Sequence, residues 1–167
     1  MEPVWGQLLA SAQSSIQKGK IASTLAGMQV TFDGVPVPLL YVGANQINAI
    51  VPFEVSTKAS TTVQVLSASA ASPPLDLAVA STYPAIFSVA TRPPLLGAIY
   101  AAALNQDGTV NSINNPAKAG SIIVFWATGA GLFTQSMPDG AIARPPLSAT
   151  VQPVSVLFAS RGPPSRR

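Results

Sequence analysis

The chain contains no histidine and no cysteine. The usual general base, the Ser-His and Cys-His nucleophile pairs and nearly all zinc chemistry are therefore closed to it. Carboxylates remain, because glycoside hydrolysis needs only two of them facing each other across a cleft. There are six: Glu2, Asp33, Glu54, Asp76, Asp107 and Asp139. Asp33, Asp107 and Asp139 each precede a glycine, where a carboxylate is explained by hydrogen bonding to its own turn backbone. Glu54 and Asp76 read as lone charges facing solvent. Ser14 and Ser15 precede Lys18 in a plain polar stretch, with no spacing that would build a Ser-Lys dyad. The expectation is a protein that is not an enzyme, with a carboxylate-only glycoside hydrolase or its accessory domain as the minor alternative.

Binding chemistry has better candidates. Asn45, Gln46 and Asn48 put three amides within four positions, close to Tyr41. Amides that donate and accept, beside an aromatic ring, can hold sugar hydroxyls, and these four residues are the candidate ligand-binding set. The plain alternative is that they bond a neighbouring loop backbone, with Asn45 in a left-handed turn position. Trp5 and Trp126 could be stacking platforms, yet both sit in apolar runs and read as core. Asn105, Asp107, Asn111, Asn114 and Asn115 could offer oxygen to calcium, but an Asn-rich turn accounts for them. Ala127-Thr128-Gly129-Ala130-Gly131 lacks the lysine of a phosphate loop. No metal site and no cofactor is expected.

The elements that would carry these residues are strands. In Met28–Leu39, Asp33-Gly34 is a two-residue hairpin turn whose left-handed dihedrals suit Asp and Gly. The register follows: Phe32 opposite Val35, Val30 opposite Val37, Met28 opposite Leu39, with all six side chains on one face. Gln29, Thr31, Pro36 and Pro38 fall on the other, and the prolines mark an edge. A third strand, Asn45–Phe53, places Ile47, Ala49, Val51 and Phe53 on one side and Gln46, Asn48 and Ile50 on the other.

Further strands are expected at Thr61–Ser67, Leu75–Ser81, Tyr83–Phe87, Ala98–Asn105 (with a short helix as rival) and Thr150–Ala159. Ser121–Thr128 is apolar on both faces and predicts a central strand covered on both sides. Residues 11–24 read as a polar loop with room for a helical turn near Ser11–Gln17. Turn signals about every 8–12 residues are the pattern of a sandwich. The linker Thr91-Arg92-Pro93-Pro94 divides residues 1–90, a first β-sandwich unit, from 91–159, a second and truncated one. Residues 160–167 are expected to be a disordered basic tail.

Composition narrows the partners. Only 9% of residues are charged against 48% hydrophobic, where ordinary soluble domains carry about 25% charge. Three arginines, Arg161, Arg166 and Arg167, account for the whole net charge of +3. No basic stripe with interleaved aromatics is present, so nucleic acid is not an expected partner. No apolar run approaches the roughly 18 residues of a membrane span. The start, MEPVWGQLLA, has an acid where a signal peptide carries positive charge.

A faint internal repeat sets Trp5 against Trp126 and Met28–Phe32 against Val154–Phe158, as two copies of one β-unit would. Beyond this, TLAGMQVTFDGVPVPLLYVGANQINAIVPFEV, PAIFSV, AALNQDGTVNSINNPAKAGSIIVFWATGAG and PDGA closely resemble the Solibacter-type C-terminal domain. That is an uncharacterised module found at the ends of large exported proteins of Acidobacteria. The resemblance spans roughly residues 5–158 and rests on Asn45-Gln46-Ile47-Asn48, Asn105-Gln106-Asp107-Gly108 and Ala127-Thr128-Gly129. It implies a secreted or cell-surface location and tandem immunoglobulin-like units, with no activity and no ligand. The family's opening strand is missing before Trp5, and ASRGPPSRR stands where its closing strands belong, so the second unit is expected to be incomplete.

The sequence thus predicts an all-β protein of two immunoglobulin-like sandwiches, acting as a non-catalytic structural or interaction module. A carbohydrate-binding module is the alternative. The partners expected are a cell-surface polysaccharide or other domains of the same exported polypeptide, and unpaired strand edges predict self-association.

Overall fold

The computed structural model describes residues 12–14, 16, 17, 19–89 and 100–156, and the fold is all-β. Among these residues, contacts divide the chain into two units. The first runs to Ser81 and takes in Leu132–Ala149; the second comprises Thr82–Gly131 and the residues from Thr150 on. Trp5, the Thr91–Pro94 linker and residues 160–167 lie outside the described residues.

The described residues of the first unit hold nine strands: β1 (Ala12–Gln13), β2 (Ile16–Gln17), β3 (Lys20–Ile21), β4 (Met28–Phe32), β5 (Val35–Pro36), β6 (Leu39–Gly43), β7 (Gln46–Ala49), β8 (Ser60–Ser67) and β9 (Leu75–Ala78). They form a four-stranded sheet β5-β4-β8-β9, a three-stranded sheet β1-β6-β7 and the ribbon β2-β3. Ala12–Gln13 and Ile16–Gln17, where the sequence has room for a helical turn, are strand. The hairpin turn is as expected: Asp33 and Gly34 both have positive φ, 51° and 83°, and Phe32 faces Val35. Pro36 sits on the sheet edge opposite Thr31, where its missing N–H breaks no ladder bond.

Beyond Val37 the hairpin diverges from its predicted register. Leu39 does not face Met28; it starts β6 in the other sheet, pairing with Ala49. The chain changes sheets at Val37-Pro38, and both are buried there. Met28, Val30 and Phe32 from β4 then meet Val37, Leu39, Val42 and Val55 in one core, flanked by Ile47, Ala49, Val63 and Val65. Five of the six predicted inward side chains are in that core; Val35 is 63% exposed beside the turn. Burying a side chain such as Leu39 contributes about 2 kcal/mol. The third strand ends at Ala49, and Phe53–Thr57 is a 3-10 turn, which leaves Val51 exposed.

Residues 132–149, read from the sequence as part of the second unit, are held by the first. Ile21 N–H donates to the Gly140 carbonyl at 3.0 Å, and Lys20 bridges Ala141. Phe133 meets Phe53 edge to face, with centroids 6.1 Å apart. Buried Gly140, at φ 70°, packs so closely on Pro38 that a Cβ would lie 2.7 Å from the proline Cγ.

The second unit holds β10 (Ala85–Ile86), β11 (Ser88–Val89), β12 (Tyr100–Ala101), β13 (Ala103–Asn105), β14 (Ile123–Phe125) and β15 (Ala127–Thr128). β10 pairs with β15, β11 with β12, and β13 with β14. Each of three extended segments thus pairs with one neighbour over half its length and with the other over the rest. The exchange falls at Phe87, Ala102 and Trp126: Phe87 N–H donates to the Trp126 carbonyl at 2.9 Å, and Ala102 N–H to the Phe87 carbonyl at 2.7 Å.

This arrangement corrects three sequence expectations. Among the described residues no wide sheet forms around the apolar run at Ser121–Thr128, which is not a covered central strand: Val124 is 48% and Trp126 50% exposed. Trp126 is therefore not a core residue. Of the strand predicted at Thr150–Ala159, residues 151–156 are irregular; the end of the Val154–Phe158 match to Met28–Phe32 lies outside the described residues.

Candidate functional site

A β-bulge decides what the three-stranded sheet shows to solvent. Leu39 pairs with Ala49 and Tyr41 with Asn48, so Leu40 is an extra residue in β6. Simple alternation would put Leu39, Tyr41 and Gly43 on one face. The bulge shifts the phase. Leu39 and Val42 both face the core, and Tyr41 and Gly43 turn outward opposite Asn48 and Gln46. On the other side of β6, Gln13 of β1 pairs with Tyr41, and Ser14 N–H donates to the bulge carbonyl of Leu40 at 3.0 Å.

The outcome is a polar row across three strands, Gln13–Tyr41–Asn48, with Gln46 beside it. These residues, with Ser14 and Leu40, line an open groove of about 350 Å³. Gln46 Nε2 donates to Asn48 Oδ1 at 2.7 Å. That bond fixes both amides and leaves Asn48 Nδ2 as a donor and Gln46 Oε1 as an acceptor for a ligand. The Tyr41 ring lies along the strand over Gly43: a Cβ on Gly43 would come within 2.5 Å of the phenol oxygen and 2.9 Å of Cε1. The described lining residues carry no charge.

Of the four sequence candidates, the structure brings Tyr41, Gln46 and Asn48 together. Asn45 stands apart at the β6–β7 turn, and its φ is not positive, so the left-handed expectation is corrected. It lines a second depression of about 390 Å³ with Met28, Val65 and Ser72 among others. Gln13, Ser14 and Leu40 were missed. Their place depends on pairings of β1 and β6 that carry no local sequence signal.

The other clusters are explained within the fold. Asn105, itself buried, donates to the Asn115 carbonyl at 3.1 Å and accepts from Asn111 Nδ2 at 2.8 Å. Asp107 Oδ1 accepts from the Thr109 hydroxyl at 2.6 Å and its N–H at 3.0 Å, which lowers the Asp107 pKa. Asn105 Oδ1 and Asp107 Oδ1 are thus engaged inside the turn. Asp33 Oδ2 meets Lys58 Nζ at 2.7 Å and its Oδ1 accepts from Thr62 N–H at 2.8 Å, and the Lys58 and Thr62 bonds hold its pKa at about 2. Asp139 Oδ1 accepts from Phe53 N–H at 3.1 Å; burial and the neighbouring Glu54 carboxylate raise its pKa. The Asp139 and Glu54 carboxyls adjoin each other, whereas a glycosidase pair faces across a cleft.

No protein-family model matches this chain, and no curated protein and no solved structure matches it. Among the described residues, no helix is long and apolar enough to cross a membrane.

Proposed function

We propose that this chain is a non-catalytic interaction module of a secreted or cell-surface bacterial polypeptide, built of two immunoglobulin-like units. The resemblance of its Asn45–Asn48 and Asn105–Gly108 stretches to the Solibacter-type C-terminal domain supports the location. The low charge supports it too. Its contact surface is the outer face of the β1-β6-β7 sheet.

One observation favours the carbohydrate-binding form of this reading: Tyr41 shares an uncharged groove with a hydrogen-bonded amide pair. Vicinal sugar hydroxyls each donate and accept, and the pair offers one donor and one acceptor. The aromatic ring supplies apolar contact to the C–H face of a pyranose. An open groove without charge suits a neutral polysaccharide passing through. The reading is tested by co-sedimentation with insoluble cellulose, chitin and mannan. Retention on at least one, reduced about tenfold by Tyr41→Ala, supports it. No retention on any, or retention indifferent to Tyr41→Ala, removes the groove as the contact surface.

A further inference from the structure

β9 is the open edge of the four-stranded sheet: it pairs with β8, and among the described residues nothing pairs with its other side. The register sums place Val79 opposite Ala59, and Val79 N–H donates to the Ala59 carbonyl at 2.9 Å. Alternation then directs the backbone groups of Leu75 and Leu77 toward β8 and those of Asp76 and Ala78 outward. The same alternation sets the side chains. Leu77 lies opposite buried Thr61 and Leu75 opposite Val63, a core-flanking residue, so both leucines are on the core face. Yet Leu75 is 59% and Leu77 42% exposed. The opposite edge, β5, carries Pro36; β9 carries no proline.

We infer that this edge pairs antiparallel with β9 of a second copy, about a two-fold axis at Leu77. This proposal is independent of the groove and gives the self-association expected of open edges a strand and a register. Asp76 of each copy would exchange both backbone hydrogen bonds with Ala78 of the other. Leu77 would meet Leu77 of the second copy at the centre, and Leu75 would meet Val79, so apolar faces apolar throughout. Sliding one step toward the strand start would oppose Asp76 to Asp76, a like-charge pair that destabilises a ladder. Sliding the other way would oppose Leu75 to Ser81. Pro74, at an outward position without an N–H, ends the ladder at Asp76. The product is one continuous eight-stranded sheet in which the two exposed core margins cover each other.

The chain has no cysteine, so a single introduced thiol reads the register directly. Facing residues at the centre form a non-hydrogen-bonded pair, whose Cα atoms lie about 4.5 Å apart, within disulfide reach. Leu77→Cys is expected to form a disulfide-linked dimer under mild oxidation, and Leu75→Cys is not. Wild type is expected to show a monomer–dimer equilibrium in sedimentation from micromolar to millimolar concentration. Ala78→Pro, which removes an outward N–H and leaves the β8 ladder intact, should weaken it about tenfold. Purely monomeric wild type overturns the proposal. So does equal cross-linking of both thiol variants, or dimerisation indifferent to Ala78→Pro.

Discussion

Gly43 lies beneath the ring of Tyr41, two residues away on the same strand, with room there for a hydrogen and no more. The glycine lets the phenol recline along β6 instead of standing off the sheet, beside the Gln46–Asn48 pair. Gly43 has no positive φ, so its backbone conformation is open to any residue. Gly43→Ala is therefore expected to leave the fold intact and to lift the ring out of the groove. Polysaccharide retention should fall as far as with Tyr41→Ala, with unchanged thermal unfolding.

Two aspartates give the stability profile opposite slopes. Asp33, held at about 2, contributes stability that is complete above the ordinary carboxylate value near 3.8 and is lost as pH falls toward its folded value. Asp139, raised by burial and Glu54, contributes most below the ordinary value and loses that contribution as pH rises through its folded pKa. Asp33→Asn should flatten the acid limb of a denaturation series taken against pH. Asp139→Asn, whose amide oxygen can still accept from Phe53 N–H, should remove the opposing slope.

The Thr61 hydroxyl is buried and makes no hydrogen bond of good length and angle among the described residues, although it stands close enough to the Asp33 carboxylate to add a minor share to the lowering of that pKa. Leaving a buried hydroxyl unsatisfied costs about 1–3 kcal/mol. Thr61→Val keeps the branched shape that suits a strand and removes the group. It is expected to stabilise the first unit by about 1 kcal/mol, measured by urea denaturation.

In the second unit, Gly129 sits at φ 76° against the chain at Tyr83, and a Cβ there would overlap the Tyr83 carbonyl oxygen. Tyr83 N–H donates to the Gly129 carbonyl at 2.9 Å. Gly129→Ala combines left-handed strain with a backbone clash and should break this crossing. Hydrogen exchange checks it: the Tyr83 and Phe87 amides should lose protection, and the β4–β8 amides of the first unit should keep theirs.

The Asp33-Gly34 hairpin was legible in the sequence because its cause is local: two residues fix the turn and the period of two fixes the faces. The same period assigned Gln46 and Asn48 to one side of β7 correctly. It could not place Tyr41, since the phase of β6 is reset by a bulge at Leu40 that depends on how β1 and β7 pair with it. Nor could it foresee that Ile122, Val124 and Trp126 stay exposed. Apolar faces on both sides of a strand predict burial only if neighbours exist to cover them, and among the described residues the three-way exchange at Phe87, Ala102 and Trp126 supplies none. The return of residues 132–149 to the first unit had no signal stronger than Pro138-Asp139-Gly140, which reads as any turn.

The claim that the amide–tyrosine groove is the contact surface is tested most directly by nuclear magnetic resonance. A ¹⁵N-labelled chain would be titrated with soluble oligosaccharides of the polysaccharide that retains it. The Gln46 and Asn48 side-chain amides and the Gln13–Ser14 backbone should shift together with one saturation curve, while the Asn45 side chain stays still. Saturable shifts confined to other residues, with Gln46 and Asn48 unmoved, would contradict the account.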